Sequence, residues 1–185
     1  VLKSKPRPAI GFLWHGDRNI GGGEHATWLL VRSLQRDYRP VLIYARHNHL
    51  IADYAASGVE LVNIPLDPRL TGVYRDAVRF NLRRLVLLVW FYLKAIPQVV
   101  RAVRQCQIQI LHPVDNLSKL IAGVAGCIAG VKVGAHCHDD LGSTFIERML
   151  RVYQLVFMHR IIAGSQTIAR RFTILGRLPR KVATI

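Results

Sequence analysis

The sequence predicts an α/β fold: a Rossmann-like, doubly wound parallel sheet with helices on both faces. Strand-like and helix-like stretches alternate along the chain, and a run of glycines at 21–23 joins the first strand to the first helix. Several strand-like runs are continuously apolar, as expected for strands covered on both faces. Such alternation indicates parallel strands linked by crossover helices, so residues 1–185 are expected to form one domain.

The predicted strands are short and rich in aliphatic and β-branched residues. In an open parallel sheet, ligands bind beyond the carboxyl ends of the strands, so functional residues are expected in the segments that follow them. The predicted strands cover residues 9–14, 41–45, 59–64, 108–112, 131–137, 160–164 and 181–185.

The predicted helices lie between the strands, at 24–36, 50–57, 117–129, 144–158 and 166–175, with a loop or short irregular helix over 66–80. Gly58 and Gly130 follow two of these helices, where glycine readily adopts the left-handed backbone of a helix end. Asp115, Asn116 and Ser118 are candidate N-caps for helix 117–129, because their side chains accept hydrogen bonds from the first N–H groups of a helix.

Residues 79–104 form a long helical segment that is apolar on nearly all sides and has basic ends. Pro97 is expected to kink this segment or to start a second helix. One interpretation is a core helix, or a helix that packs against a second domain. The other is a helix on an anionic membrane, where the surface would be met by Arg83, Arg84, Trp90 and Lys94.

The chain carries a large surplus of positive charge: its net charge is +15, with 51% hydrophobic and 20% charged residues. The composition is that of a globular domain. The charge implies an anionic partner, which is a nucleic acid, an acidic membrane or a phosphorylated small molecule, or else an acidic half elsewhere in the protein. Nucleic acid is not expected, because the basic residues are spread over several helices and no nucleic-acid-binding signature occurs.

Cysteine usage and hydropathy favour a cytoplasmic location. Cys106, Cys127 and Cys137 form no CxxC pair, which fits a reducing compartment. The longest apolar run, 85–93, has nine residues, whereas a membrane-spanning helix needs about 20. No secretory signal is recognised in the first residues.

The turn Gly21-Gly22-Gly23-Glu24 is a candidate phosphate site, although such a run also suits a plain turn. Glycines let the backbone approach a ligand, and the free N–H groups at a helix start favour negative charge. The turn is not a Walker motif, since no Lys-Ser/Thr follows it. The nicotinamide fingerprint is absent as well, because the loop after the first strand is too long.

Polar residues follow four predicted strands, at 15–19, 112–116, 136–140 and 164–167. His136 and His138 would share one face of a strand. No third ligand occurs at a diagnostic spacing, so a metal is not expected. We expect a single histidine, His138, to hydrogen-bond a sugar hydroxyl or a phosphate; the alternative for His136 and His138 is a structural histidine whose hydrogen bonds are satisfied within the fold. Asp139 is expected to orient His138 or to cap the next helix.

In their order and spacing these motifs resemble the N-terminal domain of family 4 glycosyltransferases, which have the GT-B fold. Gly21, Gly22 and Glu24 match the family's Gly-Gly-x-Glu turn. The other similar stretches are Ile110-Leu111-His112 (with Gln109 in place of the usual Asp), His138-Asp139, Ala163-Gly164-Ser165, and the strand Lys181 to Ile185.

The resemblance implies an enzyme of hexosyltransferase type. Family members transfer a sugar from a nucleotide-sugar to an acceptor hydroxyl with retention of configuration, and they generally need no metal; no cofactor is expected besides this co-substrate. Their N-terminal domain mostly binds the acceptor, and a C-terminal domain binds the nucleotide. The C-terminal domain is not expected within residues 1–185, so this domain alone is expected to be inactive.

The resemblance also implies roles for single residues. Gly21 and Gly22 would approach the donor diphosphate, and His138 would be the catalytic residue that hydrogen-bonds the transferred sugar or the acceptor. Many members act on lipid-linked acceptors, which implies a peripheral position on the cytoplasmic membrane face. In the transferase, the substrate cleft would be lined by Glu24, His112, Asp139 and Ser165.

The alternative to an enzyme is a non-enzymatic, basic Rossmann-like module that binds a membrane or a polyanion.

Overall fold

A seven-stranded parallel sheet forms the centre of the domain in the computed structural model, which describes residues 6–15, 22–46, 49–65, 82–138, 145–174 and 177–184. The strand order is β3-β2-β1-β4-β5-β6-β7, and every neighbouring pair is parallel. This is the doubly wound order, so the predicted fold class is confirmed. The strands are Ala9–Trp14 (β1), Arg39–Tyr44 (β2), Glu60–Asn63 (β3), Ile108–Pro113 (β4), Lys132–Cys137 (β5), Arg160–Ala163 (β6) and Val182–Thr184 (β7).

Six helices of the described segments connect the strands: Gly22–Leu34 (α1), His49–Ala56 (α2), Leu82–Gln105 (α3), Asn116–Ala129 (α4), Phe145–Phe157 (α5) and Gln166–Arg170 (α6). The predicted extent of the last helix, 166–175, was wrong. After Arg170 the backbone turns tightly, with Thr173 N–H bonded to Arg170 O, and Phe172 enters the core. The predicted loop at 66–80 lies outside the described residues.

Strand β2 begins at Arg39, two residues earlier than predicted. The prediction excluded Pro40, because proline has no N–H to donate to a neighbouring strand and is rare inside a sheet. The structure accommodates it where the strand has a neighbour on one side only: Arg39 and Pro40 pair with β1, and pairing with β3 starts at Val41.

Helix α3 runs through Pro97 as a single element, so the predicted start of a second helix was wrong. A proline inside a helix costs about 3 kcal/mol or more. Here Phe91, Ala95, Val99 and Val103 lie four residues apart along one buried face on both sides of the proline. Burying a large apolar side chain stabilises by about 1.5–3 kcal/mol, so packing of this face outweighs the lost hydrogen bond.

Side chains of the sheet enter two separate cores. On one face, Ile10, Phe12 and Trp14 of β1 pack with residues of α1 and α2. On the other face, Ala9 and Leu13 pack with residues of α3 and α4. Alternate residues of one strand therefore serve both cores, which explains why the strands are continuously apolar.

Basic side chains bind carbonyl groups at the ends of four helices, all at the edge of the sheet where the strands begin. These carbonyls carry the negative end of the helix dipole, so a cation beside them is stabilising. Part of the chain's positive charge therefore stabilises the fold by binding helix C-termini. The pairs are Arg7 with Gln35 O (2.5 Å) after α1, Arg39 with Cys106 O after α3, Arg104 with Ile128 O (3.1 Å) in α4, and Lys181 with Met158 O (3.1 Å) after α5.

The Asp115 carboxylate joins the ends of β1 and β4 and caps α4. Its Oδ1 accepts from the N–H of Ser118 (2.8 Å), as predicted for an N-cap, and its Oδ2 accepts from the N–H of His15 (2.9 Å). At the other end of α4, Gly130 adopts a left-handed backbone with φ of 72°, and Gly58 does so after α2 with φ of 78°. Both predicted glycine ends are confirmed.

We predict that Asp115→Ala lowers the free energy of unfolding by about 2–3 kcal/mol, because it removes a helix cap and leaves the buried His15 N–H without its carboxylate. Urea denaturation measures the change. The matched control is Asp53→Ala, an exposed carboxylate in the middle of α2. Equal losses in the two variants would contradict the linking role of Asp115.

Candidate functional site

The candidate site lies at the edge of the sheet where the strands end, beside the point at which the strand order reverses between β1 and β4. Chain connections leave this point in opposite directions, which opens a crevice in doubly wound sheets. Helices α1, α4 and α6 start at the same edge, since each is the helix that follows a strand ending there, β1, β4 and β6 respectively. Strand ends and helix N-termini therefore meet here.

Three histidines stand in this crevice at the ends of β4 and β5. The His112 ring packs on Phe12 with 5.4 Å between ring centroids, on the side of the sheet that carries α1. His136 and His138 leave β5 two residues apart, and their rings lie 3.9 Å apart at an angle of 40°. The predicted shared face of these two histidines is thus observed.

Two glycines of the run belong to the first turn of α1. Gly22 and Gly23 are the first two residues of the helix, whereas the sequence placed its start at Glu24. A Cβ at Gly23 would lie 4.0 Å from His138 Cδ2, and one at Gly22 would meet no atom of the described residues within 4 Å. The N-terminus of α1 therefore lies beside the His138 ring. Gly21 is outside the described residues.

The other predicted site residues fall at different distances from the histidines. Ser165 follows β6 and caps α6, its Oγ accepting from the N–H of Ile168 (3.2 Å). The neighbouring Gly164 approaches His138, since a Cβ there would lie 3.6 Å from Nδ1. Glu24 is half-buried in α1, and its charge, after burial, contributes to the raised pKa of Tyr54 on α2. Asp139 lies outside the described residues.

Burial and mutual repulsion keep two of the histidines neutral. Burial, followed by the nearby charges of His136, Lys119 and His138, lowers the pKa of His112 to about 4. Burial, then His138 and Lys119, lowers the pKa of His136 to about 4. At pH 7 these two imidazoles are hydrogen-bonding groups without charge. His136 Nε2 is buried and has no hydrogen-bond partner among the described residues.

Lys119 is a functional candidate that the sequence reasoning missed. It is 5% exposed, in the first turns of α4, and its Nζ donates to Asn116 Oδ1 at 3.0 Å. Cys137 Sγ, at the end of β5, lies 3.8 Å from the same Nζ. The available signal was its position as the lone charged residue in the small, apolar helix 116–129.

The outer face of α3 combines apolar and basic side chains. Trp90 is 54% exposed, and Lys94 Nζ lies 4.8 Å from the centroid of its ring. Val86, Val89 and Leu93 are exposed on the same helix. Arg83 and Arg84 belong to α3, but their side chains are outside the description. Among the described helices, none is long and apolar enough to cross a membrane.

Solved structures of other proteins share the fold of this chain. Anabaena HepE in complex with UDP-glucose matches 96% of this chain at 14% identity, with a TM-score of 0.69. The lipopolysaccharide outer core galactosyltransferase WaaB matches 95% at 11% identity (TM-score 0.65), and a glycosyltransferase from Rickettsia africae matches 97% at 12% identity (TM-score 0.63). No protein-family model and no curated protein matches the sequence.

The chain spans less than half of these structures, 43%, 44% and 42% of their respective lengths. It has the Rossmann-like fold of the N-terminal half of a GT-B protein. At these identities the likeness establishes the fold, and substrates must be argued from the residues of this chain.

We predict that the free energy of unfolding falls as the pH drops from about 6.5 towards 4. In that window the unfolded chain binds protons that the folded His112 and His136 do not, so acid favours unfolding. His112→Gln should remove about 1–2 kcal/mol of the difference between pH 7 and pH 5. Urea denaturation at both pH values checks this, with the exposed His49→Gln as the control. An unchanged pH dependence in His112→Gln would contradict the assignment.

Proposed function

We propose that this domain is the N-terminal, acceptor-side half of a family 4 glycosyltransferase. The complete enzyme would transfer a hexosyl group from a nucleotide-sugar to an acceptor hydroxyl with retention of configuration. The nucleotide would be held by a C-terminal domain on the other side of a cleft. The likeness of the fold to HepE, which binds UDP-glucose, supports a nucleotide-sugar donor.

The observation that carries this proposal is the position of the α1 N-terminus beside His138. Cleavage of a nucleotide-sugar leaves negative charge on a diphosphate, and preorganised donors aimed at that charge accelerate the step. The first N–H groups of a helix are such donors. At Gly22, no atom of the described residues lies within 4 Å of where a Cβ would stand. A diphosphate over Gly21 and Gly22 would place the sugar towards His138.

His138 is the catalytic residue of the proposal, because its exposed ring can hydrogen-bond the transferred sugar or the acceptor. His112 and Ser165 shape the cleft, and Glu24 and Asp139 complete it. Histidines that stay neutral at pH 7 suit a site for sugar hydroxyls, since a neutral imidazole both donates and accepts. No step of the proposal uses a metal or an additional cofactor.

We predict that His138→Ala lowers kcat/KM of the full-length protein about 100-fold, the usual cost of losing one transition-state donor. Gly22→Val should lower it to a similar extent, because the valine side chain would occupy the space proposed for the diphosphate. Transfer is measured with a panel of nucleotide-sugars, and folding by circular dichroism. His159→Gln is the matched control, since His159 precedes β6 at the opposite edge of the sheet.

Residues 1–185 alone should show no transfer under the same conditions, because the nucleotide site is proposed to lie in the other domain. Wild-type rates of transfer in both His138→Ala and Gly22→Val would contradict the assignment of the site to these residues. Robust turnover by residues 1–185 alone would overturn the two-domain proposal, and absence of transfer by the full-length protein would favour the non-enzymatic module.

We further propose that the outer face of α3 and α5 lies on an anionic membrane, where a lipid-linked acceptor would be found. Helices α3 and α4 contain no acidic residue, and Glu147 is the sole one in α5. Exposed apolar residues lie on α3 and α5, among them Trp90, Leu93 and Val156. Apolar side chains with basic neighbours are typical of interfacial helices.

We predict that Trp90→Ser with Leu93→Ser weakens binding to phosphatidylglycerol vesicles about tenfold or more, since both lose apolar contact with lipid. Vesicle co-sedimentation measures binding, with phosphatidylcholine vesicles as the neutral comparison. Leu29→Ser is the control: Leu29 is 64% exposed, but on α1 at the other face of the sheet. Equal loss with Leu29→Ser, or no binding by the wild type, would exclude a membrane role for α3.

A further inference from the structure

An open cavity of about 440 Å³ lies between α3 and α4, at the edge of the sheet where the strands begin. Its apolar part includes Ile96 and Val100 of α3 and Ile128, near the end of α4. Its basic part comes from the last two turns of α3, where Arg101 and Arg104 line it. A cavity of this volume has the size of a small-molecule site. It lies at the opposite edge of the sheet from the crevice that contains the histidines.

The two guanidinium groups give the cavity a positive charge that no carboxylate neutralises among the described residues. Arg104 Nη2 donates to Ile128 O at 3.1 Å, which links the two helices and uses one of the five N–H donors of the guanidinium. Arg101 makes no hydrogen bond or ion pair among the described residues. Helices α3 and α4 contain no acidic residue, and Glu60, at the start of β3, is paired with Arg39. The cavity is therefore suited to an anion.

The apolar part of the cavity favours an anion that also carries a hydrocarbon chain. Ile128 is 53% exposed, and covering it together with Ile96 and Val100 would remove apolar surface from water. Inorganic phosphate would use the guanidinium groups, which bind phosphate oxygens in pairs, but it would leave this apolar surface exposed. The combination of features indicates an anionic amphiphile.

The cavity continues the exposed stripe of α3. Trp90, Leu93, Pro97, Arg101 and Arg104 follow one another at steps of three or four residues, and all five are exposed, so they share one face of the helix. This face is apolar in the first half of α3 and basic in the second. A rise of 1.5 Å per residue places Arg101 about 16 Å along the helix from Trp90. If α3 lies flat on a membrane through Trp90 and Leu93, lipid headgroups would therefore also reach the two arginines.

We propose that the cavity between α3 and α4 binds a single anionic lipid, with the lipid phosphate between Arg101 and Arg104 and the start of an acyl chain on Ile96, Val100 and Ile128. The inference rests on the proposed membrane contact of α3 and deepens it, because it adds a defined site to a surface that would otherwise bind lipid without specificity. Long arginine side chains suit this role, since their methylene groups cover apolar surface while the charge stays at the level of the headgroups.

The test is a titration of the full-length protein with dihexanoyl phosphatidylglycerol below its micelle concentration, followed by NMR of the isoleucine methyl groups. A monomeric lipid reports on the cavity itself, because no vesicle surface is present. We expect the Ile128 methyl signal, assigned with Ile128→Val, to shift and to saturate. Dihexanoyl phosphatidylcholine and inorganic phosphate should each bind about tenfold more weakly, since the first has no net charge and the second has no chain.

Arg101→Gln should weaken the binding of dihexanoyl phosphatidylglycerol about tenfold, because it removes charge-assisted hydrogen bonds to the phosphate. The position is exposed and glutamine favours a helix, so the variant should fold, which circular dichroism checks. Arg36→Gln is the matched control and should bind as the wild type does, since Arg36 is exposed after α1 at the other face of the sheet. If Arg101→Gln does not fold, Arg101→Met gives the same comparison with an apolar side chain.

Wild-type affinity in a folded Arg101 variant, or no shift of Ile128 in the wild type, would overturn the proposal. Equal affinity for inorganic phosphate would identify a site for free phosphate, and equal affinity for phosphatidylcholine would show that the arginines take no part; either result excludes an anionic-lipid site. Vesicle co-sedimentation judges the membrane contact of α3 separately. Vesicle binding without a response of Ile128 would overturn the cavity site alone, and a response of Ile128 without vesicle binding would support the site and exclude the membrane contact.

Discussion

The common direction of all seven strands is the constraint on which this domain depends. Since every strand runs the same way, every connecting helix runs back, and helix N-termini gather at the edge where strands end. Residues from distant parts of the chain meet there, as the bond between His15 and Asp115 illustrates. Gly23 of α1 and His138 after β5 become neighbours through this topology, and a ligand site is therefore expected at this edge.

The same constraint explains where much of the positive charge goes. Helix C-termini gather at the opposite edge, and their carbonyls attract cations. Arg7, Arg39, Arg104 and Lys181 each bind such a carbonyl group. A net charge of +15 therefore is not a direct measure of affinity for an anionic partner. The basic residues available to bind an anionic partner are those on faces without acidic residues, above all the outer face of α3.

At the candidate site the decisive property is neutrality rather than charge. In the proposed site the donors for an anion come from the α1 backbone, while burial and neighbouring charges lower the pKa of His112 and His136 and keep both uncharged. Backbone donors beside neutral histidines would suit the proposed substrate, which is part diphosphate and part sugar. The three histidines differ in burial and in neighbouring residues, so residues of the same type can have different roles at one site.

The alternation of apolar runs and amphipathic segments determined the fold class, the seven strands and the N-cap at Asp115, because these depend on local periodicity and local hydrogen bonding. Local rules failed at Pro97 and Pro40, where packing and strand pairing outweigh the loss of one N–H group. The polar clusters at the strand ends were visible in the sequence. The approach of Gly23 and Gly164 to His138 and the burial of Lys119 were not, because they depend on how neighbouring strands and helices pack. Only the tertiary structure decides them, since the residues in contact are far apart in the chain.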